Sequence, residues 1–206
     1  NIGWKVVVIT RADINLREYD SVKVLAIKDK IDLQRLFVEN LGREIEKDEI
    51  ACLDIIIDTV SGHTLILELI AKQIANSYLT IEDAVELVKE NGFANIAPEK
   101  VEYLKDGQLN YERISSIIKA LFSAEQMQSN KKVILKTLSL FHMPGIDINI
   151  FMKMLKLESK DDLNEMKTHG WINIENGMIS IHPVIRETIR EWEWNSEFQN
   201  VALLVL

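Results

Sequence analysis

Residues 171–182 read Trp171-Ile-Asn-Ile-Glu-Asn-Gly-Met-Ile-Ser-Ile-His182, and this stretch decides the fold of the C-terminal half. Asn176-Gly177 suits a two-residue type I′ turn, in which both central residues take positive φ. Such a turn sets one register, with Ile174 facing Ile179 and Ile172 facing Ile181. Side chains alternate between faces along a strand, so these four isoleucines share one buried face. The same register puts His182 opposite Trp171, on the face with Asn173, Glu175 and Ser180, where burial is not demanded. Pro183 cannot continue a ladder but suits the first turn of a helix. His182 is therefore expected at a strand-to-helix junction, partly exposed, able to donate to a phosphate oxygen or to bond a nearby backbone group.

Working upstream from the hairpin, the apolar period is helical. Ile114, Ile117, Ile118, Leu121 and Phe122 form one stripe; Val133, Ile134, Leu138 and Phe141 form a second, ended by Pro144-Gly145. Asp147 is positioned to cap a helix over 148–157, and Ser159, with Asp162 three residues on, to cap another over 160–169 stopped by Gly170. Helices followed by a hairpin and a last helix make a winged-helix domain over 111–193. Trp192 and Trp194 are expected on the last helix, packed in the core or meeting the next domain. Residues 194–206 turn apolar again and begin a following segment.

The N-terminal half opens differently. Residues 4–10, WKVVVIT, form a β-branched run too short for a helix and suited to a strand buried on both faces of a parallel sheet; residues 22–27 are a second strand or an extended connection. The period then becomes helical. Asp32 can cap a helix bearing Leu33, Leu36, Phe37 and Leu41, with Gly42 just past its end. Ile50, Leu53, Ile57 and Val60 stay in phase over 47–60, so the run CLDIIID at 52–58 reads as helix rather than as a magnesium-holding strand. Gly62 marks a tight turn into a helix apolar nearly all round, with Glu68 the only polar side chain over 65–71. Thr80 and Asp83 approximate a capping box for a helix over 81–91 closed by Gly92. The polar stretch 95–110, with Pro98 and Gly107, contains the linker, taken as 103–110. The chain thus divides into 1–29, the end of an α/β nucleotide-binding domain; 30–102, a helical subdomain; the linker; and the winged helix. The fold class is mainly α.

Composition excludes several function classes. The 206 residues suffice for one or two domains, and 47% apolar with 27% charged residues, 8 Gly and 3 Pro describe a folded chain. A net charge of −8, from 24 basic against 32 acidic residues, repels phosphate backbones and anionic membranes, so neither nucleic acid nor a membrane is expected as a partner. The single cysteine, Cys52, forms no intrachain disulfide and builds no metal knuckle, which favours a reducing, cytoplasmic setting. His63, His142 and His169 are too dispersed for a local metal site, and Ser61 lacks a nucleophile elbow, so neither metal-ligating nor catalytic residues are expected. The chain starts without methionine and almost inside a strand, as a piece of a larger protein would.

The order of these signals resembles the NB-ARC branch of the STAND signal-transduction NTPases, from about residue 5 to 192. Val7-Val8-Ile9-Thr10-Arg11 is similar to that family's Thr-Thr-Arg or Thr-Ser-Arg strand end. Gly62-His63-Thr64-Leu65 falls where the family has Gly-Leu-Pro-Leu, and Ile181-His182-Pro183 resembles its Met-His-Asp. The resemblance implies nucleotide-binding residues at Thr10, Arg11, Gly62, Thr64, Leu65 and His182. It makes Arg11 a sensor arginine facing the terminal phosphates, places residues 62–65 against adenine and ribose, and gives His182 a contact with the β-phosphate of ADP. Thr64 and Pro183 depart from the family's proline and aspartate.

The implied parent uses ADP or ATP with Mg, yet GxxxxGK[ST] occurs nowhere here, so the phosphate loop and the magnesium aspartate are expected upstream. The implied function is regulatory. The helical and winged-helix parts close over ADP, and exchange for ATP opens them for homo-oligomerisation, with an upstream nucleotide-binding domain and a downstream sensor as partners in the same chain. The fragment alone is expected to turn over no ATP; the parent is expected to be at most a slow ATPase. Two other readings stand beside this one. One is a DNA-binding transcription regulator, whose recognition helix over 159–169 would set Lys160 and Lys167 against Asp161, Asp162 and Glu165. The other is a structural interaction module without nucleotide chemistry.

Overall fold

The first helix, α1 (Lys30–Leu41), starts where Asp29, in extended backbone, accepts from the Ile31 amide at 2.8 Å. Asp32, expected to be that cap, lies in the first turn instead, where its charge suits the helix N-terminus. Gly42 ends the helix in the left-handed conformation, φ 74. The chain is a computed structural model, described over residues 27–92, 106–124, 127–141 and 145–192. The strand expected at 4–10, most of the run at 22–27 and the segment 194–206 lie outside the described residues.

The chain is mainly helical. Among the described residues it has nine helices and one small three-stranded sheet. After α1 come α2 (Glu49–Thr59), α3 (Thr64–Asn76) and α4 (Ile81–Gly92). Residues 52–58 are helical, as their phase requires, although Ile50 in the first turn is exposed. The expected capping box of α4 is reciprocal. The Thr80 amide donates to Asp83 Oδ2 at 2.9 Å, and the Asp83 amide to Thr80 Oγ1 at 3.1 Å.

Next are α5 (Asp106–Ala124), α6 (Ser129–Leu138), β1 (Ile146–Asp147), α7 (Ile148–Leu155), α8 (Asp161–Thr168), β2 (Asn173–Glu175), β3 (Met178–Ser180) and α9 (Pro183–Arg190). Helix α5 begins at Asp106, inside the stretch read as linker. Asp147 caps α7, accepting from the Asn149 and Ile150 amides. Ser159 does not occupy the cap position of α8. That position is Lys160, and Ser159 Oγ instead accepts from the Asp161 amide at 3.2 Å one residue upstream.

The hairpin pairs Asn173 with Ser180, Ile174 with Ile179 and Glu175 with Met178, the register demanded by Asn176 (φ 51) and Gly177 (φ 77). Ile172, Ile179 and Ile181 are buried and Ile174 half-buried. Strand β1 adds to the other edge of β3, with Ile146 opposite Ile179.

Trp171 departs from the expected outward face. The ladder stops at Asn173, so alternation no longer governs position 171. Its amide donates to Met166 O at 2.9 Å, and its ring is fully buried, stacked on Phe122 of α5 with centroids 4.0 Å apart. Burying a ring of ~150–250 Å² at about 25 cal/mol per Å² contributes at most on the order of 5 kcal/mol. Trp192 meets the same Phe122 edge-on at 4.9 Å.

One apolar cluster runs from Leu33 of α1 to Ile189 of α9. Helix α1 lies on α3 and α2 on α4, while α5 packs against α3 and α4 and also against α9. The two parts also meet at Gly170 (φ 83), where a Cβ would sit 2.9 Å from Lys72 Cδ and 3.1 Å from Leu69 Cδ2 of α3. No described helix is long and apolar enough to cross a membrane.

Candidate functional site

The turn between α2 and α3 is built from backbone. Ser61 (φ 51) and Gly62 (φ 66) both adopt the left-handed conformation, and the Gly62 amide donates to Ile57 O at 2.9 Å. Glycine is needed twice over, for its positive φ and because a Cβ would stand 2.9 Å from Leu33 Cδ1 of α1. His63 follows in extended backbone as the N-cap residue of α3, yet its side chain caps no amide. The leading amides of this 13-residue helix therefore carry the partial positive charge of a helix N-terminus without a side-chain acceptor from the cap position. Thr64 is exposed and Leu65 half-buried beside them. A hydroxyl, an apolar side chain and helix-end amides together can pack a planar ring and bond a hydroxyl or an anion. The buried Nδ1 of His63 has no hydrogen-bond partner, and burial pushes the imidazole pKa below its ordinary value.

His182 lies at the β3–α9 junction, as its place before Pro183 demands. It is the N-cap of α9, half-buried, and its Nδ1 accepts from the Val184 amide at 3.2 Å. A neutral imidazole that accepts at Nδ1 carries its proton on Nε2, so the outer nitrogen is a donor. The sequence left open whether this residue bonds backbone or ligand; its Nδ1 bonds backbone, as the cap of α9. Beside it, a void of about 10 Å³ bounded by Leu138, Phe141, Gly145, Ile181 and Arg186 is room for one water at most. Thr10 and Arg11, the other members of the expected site, lie outside the described residues. The cleft they are expected to share with Gly62, Thr64, Leu65 and His182 therefore involves residues beyond those described.

A polar cluster near the end of α9 escaped the sequence reading. Lys136 of α6 is 1% exposed, and its Nζ donates to the carbonyls of Trp192 at 2.7 Å, Ile189 at 3.0 Å and Arg190 at 3.3 Å. Burial pushes its pKa below the ordinary lysine value. Arg190 answers from α9, its Nε donating to Ser139 O, at the end of α6, at 3.2 Å. Each helix thus ends on a cation supplied by the other, matching the negative end of a helix dipole. The available signal was a lone lysine inside the apolar run 133–138.

On α8, Asn130 Nδ2 donates to Asp162 and Lys131 pairs with Glu165, both from α6. No group of three His, Cys, Asp or Glu residues arranged to hold a metal occurs among the described residues. No family model matches the chain, and neither the curated proteins nor the solved structures provide a match.

Proposed function

We propose that this chain is the regulatory C-terminal part of a nucleotide-switched signalling module of the NB-ARC kind. In this reading residues 30–102 are its helical subdomain and 111–193 its winged helix, with the hairpin as the wing. The winged helix is a latch that closes on ADP and swings away when ATP replaces it, allowing oligomerisation. The residues present fit such a ligand in part. The 62–65 turn offers a surface for base and ribose, and His182 a donor for a phosphate oxygen; the phosphate loop and magnesium carboxylate belong upstream. Bound nucleotide would supply the difference in contacts that shifts the population between closed and open forms.

The observation that carries this reading is the construction of the β3–α9 junction, where the cap at Nδ1 fixes the tautomer and makes Nε2 a donor. A transcription-factor reading has less support, because Asp162 and Glu165 tie α8 to α6 and exposed Asp161 adds a further carboxylate to a helix that would have to enter a major groove. The test is His182→Ala and His182→Asn in the full-length protein. Asparagine keeps a good helix cap while removing the imidazole. Both variants should bind ADP more weakly by about 1–3 kcal/mol and raise basal activity. Wild-type ADP affinity in both would reduce His182 to a helix cap.

A further inference from the structure

We propose that Asn176 is a self-modifying site: its carboxamide is lost as ammonia through attack by the Gly177 amide nitrogen, and the hairpin tip thereafter carries a carboxylate. The dipeptide Asn-Gly occurs twice in the chain, at 91–92 and 176–177, and the two copies stand in opposite surroundings. Asn91 is half-buried in the last turn of α4, its Nδ2 donating to Leu87 O at 2.9 Å. Asn176 and Gly177 are both exposed at the turn between β2 and β3, and neither the Asn176 carboxamide nor the Gly177 amide bonds a described group. A glycine has no side chain to shield its nitrogen. A Cβ placed on Gly177 would meet nothing within 4 Å, so room for a five-membered ring is open there.

Water is the only co-reactant. The Gly177 N–H gives its proton to hydroxide, the nitrogen bonds to Asn176 Cγ, and the Cγ–Nδ2 bond breaks as ammonia leaves with a proton from water. The imide ring then takes up one water at either carbonyl. Opening at Cγ restores the ordinary main chain with a side-chain carboxylate; opening at the main-chain carbonyl leaves an isoaspartyl link that runs through Cβ and Cγ. The folded turn gates the first step. In a type I′ turn the first central residue has ψ of about +30°, which points the Gly177 nitrogen away from Asn176 Cβ. The ring therefore closes only when the tip opens and Asn176 rotates about its Cα–C bond. Opening is a small event, because each strand has three residues and the tie beyond their ladder is the Ile148 amide donating to Gly177 O at 2.9 Å. An isoaspartyl link lengthens the main chain by one carbon, so the two-residue turn no longer matches the Glu175–Met178 pair and Gly177 O no longer meets α7.

This site stands apart from the nucleotide reading, and its test needs no nucleotide. The 206-residue chain is held at mildly alkaline pH, digested at intervals and followed by mass spectrometry. In the folded chain the peptide bearing Asn176 should gain one dalton on the order of tenfold faster than the peptide bearing Asn91, with the isoaspartyl isomer among its products. In urea, where both turns are lost, the two rates should converge. Ile148→Pro removes the amide that holds Gly177 O; proline suits the first position of α7, and Asp147, at ψ 130, suits the residue before it. That variant should speed conversion at position 176 several-fold and leave Asn91 unchanged. Asn176→Gly keeps a turn of the same type and should abolish both the conversion and the lower melting temperature expected of the aged wild-type chain. Asn91 reacting as fast as Asn176 in the folded chain, or Asn176 reacting in urea alone, would overturn the proposal. A rate at position 176 that Ile148→Pro does not raise would overturn the gate.

Discussion

Replacing Lys136 by methionine tests the mutual capping of α6 and α9, because methionine keeps most of the lysine stem and removes only the ammonium. Three terms set the outcome. Bonds from a charged donor contribute about 1.5–3 kcal/mol each, and there are three, to the carbonyls of Ile189, Arg190 and Trp192. Against them stands the desolvation of an ammonium 1% exposed, several kcal/mol, which the substitution removes. The third term is the fate of the carbonyls. Arg190 and Glu191 are exposed and Trp192 half-buried, so the outer carbonyls regain water when the helix end frays, and the buried Ile189 carbonyl keeps the Trp192 amide at 3.0 Å, so no carbonyl is left wholly unsatisfied. The balance, three charged bonds against the desolvation of one ammonium, is a destabilisation of about 1–3 kcal/mol. Urea unfolding followed by far-ultraviolet circular dichroism should show a lower midpoint at unchanged slope. Arg190→Ala removes the 3.2 Å bond to Ser139 O and an exposed 3.1 Å pair with Glu187, which contributes little, and should cost about 1 kcal/mol. The double variant should cost less than the sum, because the two cations fix one junction. A Lys136→Met protein as stable as the wild type would refute the reasoning and show that the buried charge costs as much as its three bonds contribute.

Two further outcomes follow from single positions. Gly145 (φ 109) lies where a Cβ would be 2.3 Å from Ile179 O and 2.9 Å from Ser180 Cβ, so Gly145→Ala must push β1 off β3 and should lower stability by about 2–4 kcal/mol, measured by thermal melting. His63 has a folded-state pKa below its unfolded value, so the unfolded chain binds the extra proton, and stability falls as pH drops through about 6.5 and on to the lower folded value. His63→Phe should flatten that stretch of the stability profile, and an unchanged slope in urea titrations between about pH 7 and 5 would show that His63 does not set it.

The hairpin was legible because one dipeptide, Asn176-Gly177, dictates both turn type and register, and the alternating isoleucines leave one face to bury. The same rule failed one step beyond the ladder. Alternation extended to Trp171 pointed it outward, although a residue outside the pairing answers to the nearest apolar surface, here Phe122. Strand β1 was invisible because two residues carry no period; it exists because Gly145 lets its backbone approach Ile179. Caps were read to within a few residues: Asp147, Thr80 with Asp83, and Gly42 as expected, Asp29 in place of Asp32, and Lys160 in place of Ser159. Local chemistry shows that a helix starts, while the turn before it decides which residue is half in. At the candidate site, the Gly62 turn and the junction of His182 with Pro183 were local and therefore legible. Lys136 was not, because its partners stand more than fifty positions away on another helix and nothing in the run 133–138 names them.

Helix α5 carries a consequence for any opening of this molecule. Its neighbours are α3 and α4 on the one hand and α9, Trp171 and Trp192 on the other, so it is a party wall rather than a hinge pin. Parting the two halves must strip one side of that wall and wet side chains such as Ile117, Ile118, Leu121 or Phe122. Each fully uncovered side chain of that size costs about 1.5–3 kcal/mol. If the proposed opening takes place, the open form would be adhesive by construction: whatever next covered α5 would recover that free energy, and unlatching and capture by a neighbour would be halves of one equilibrium.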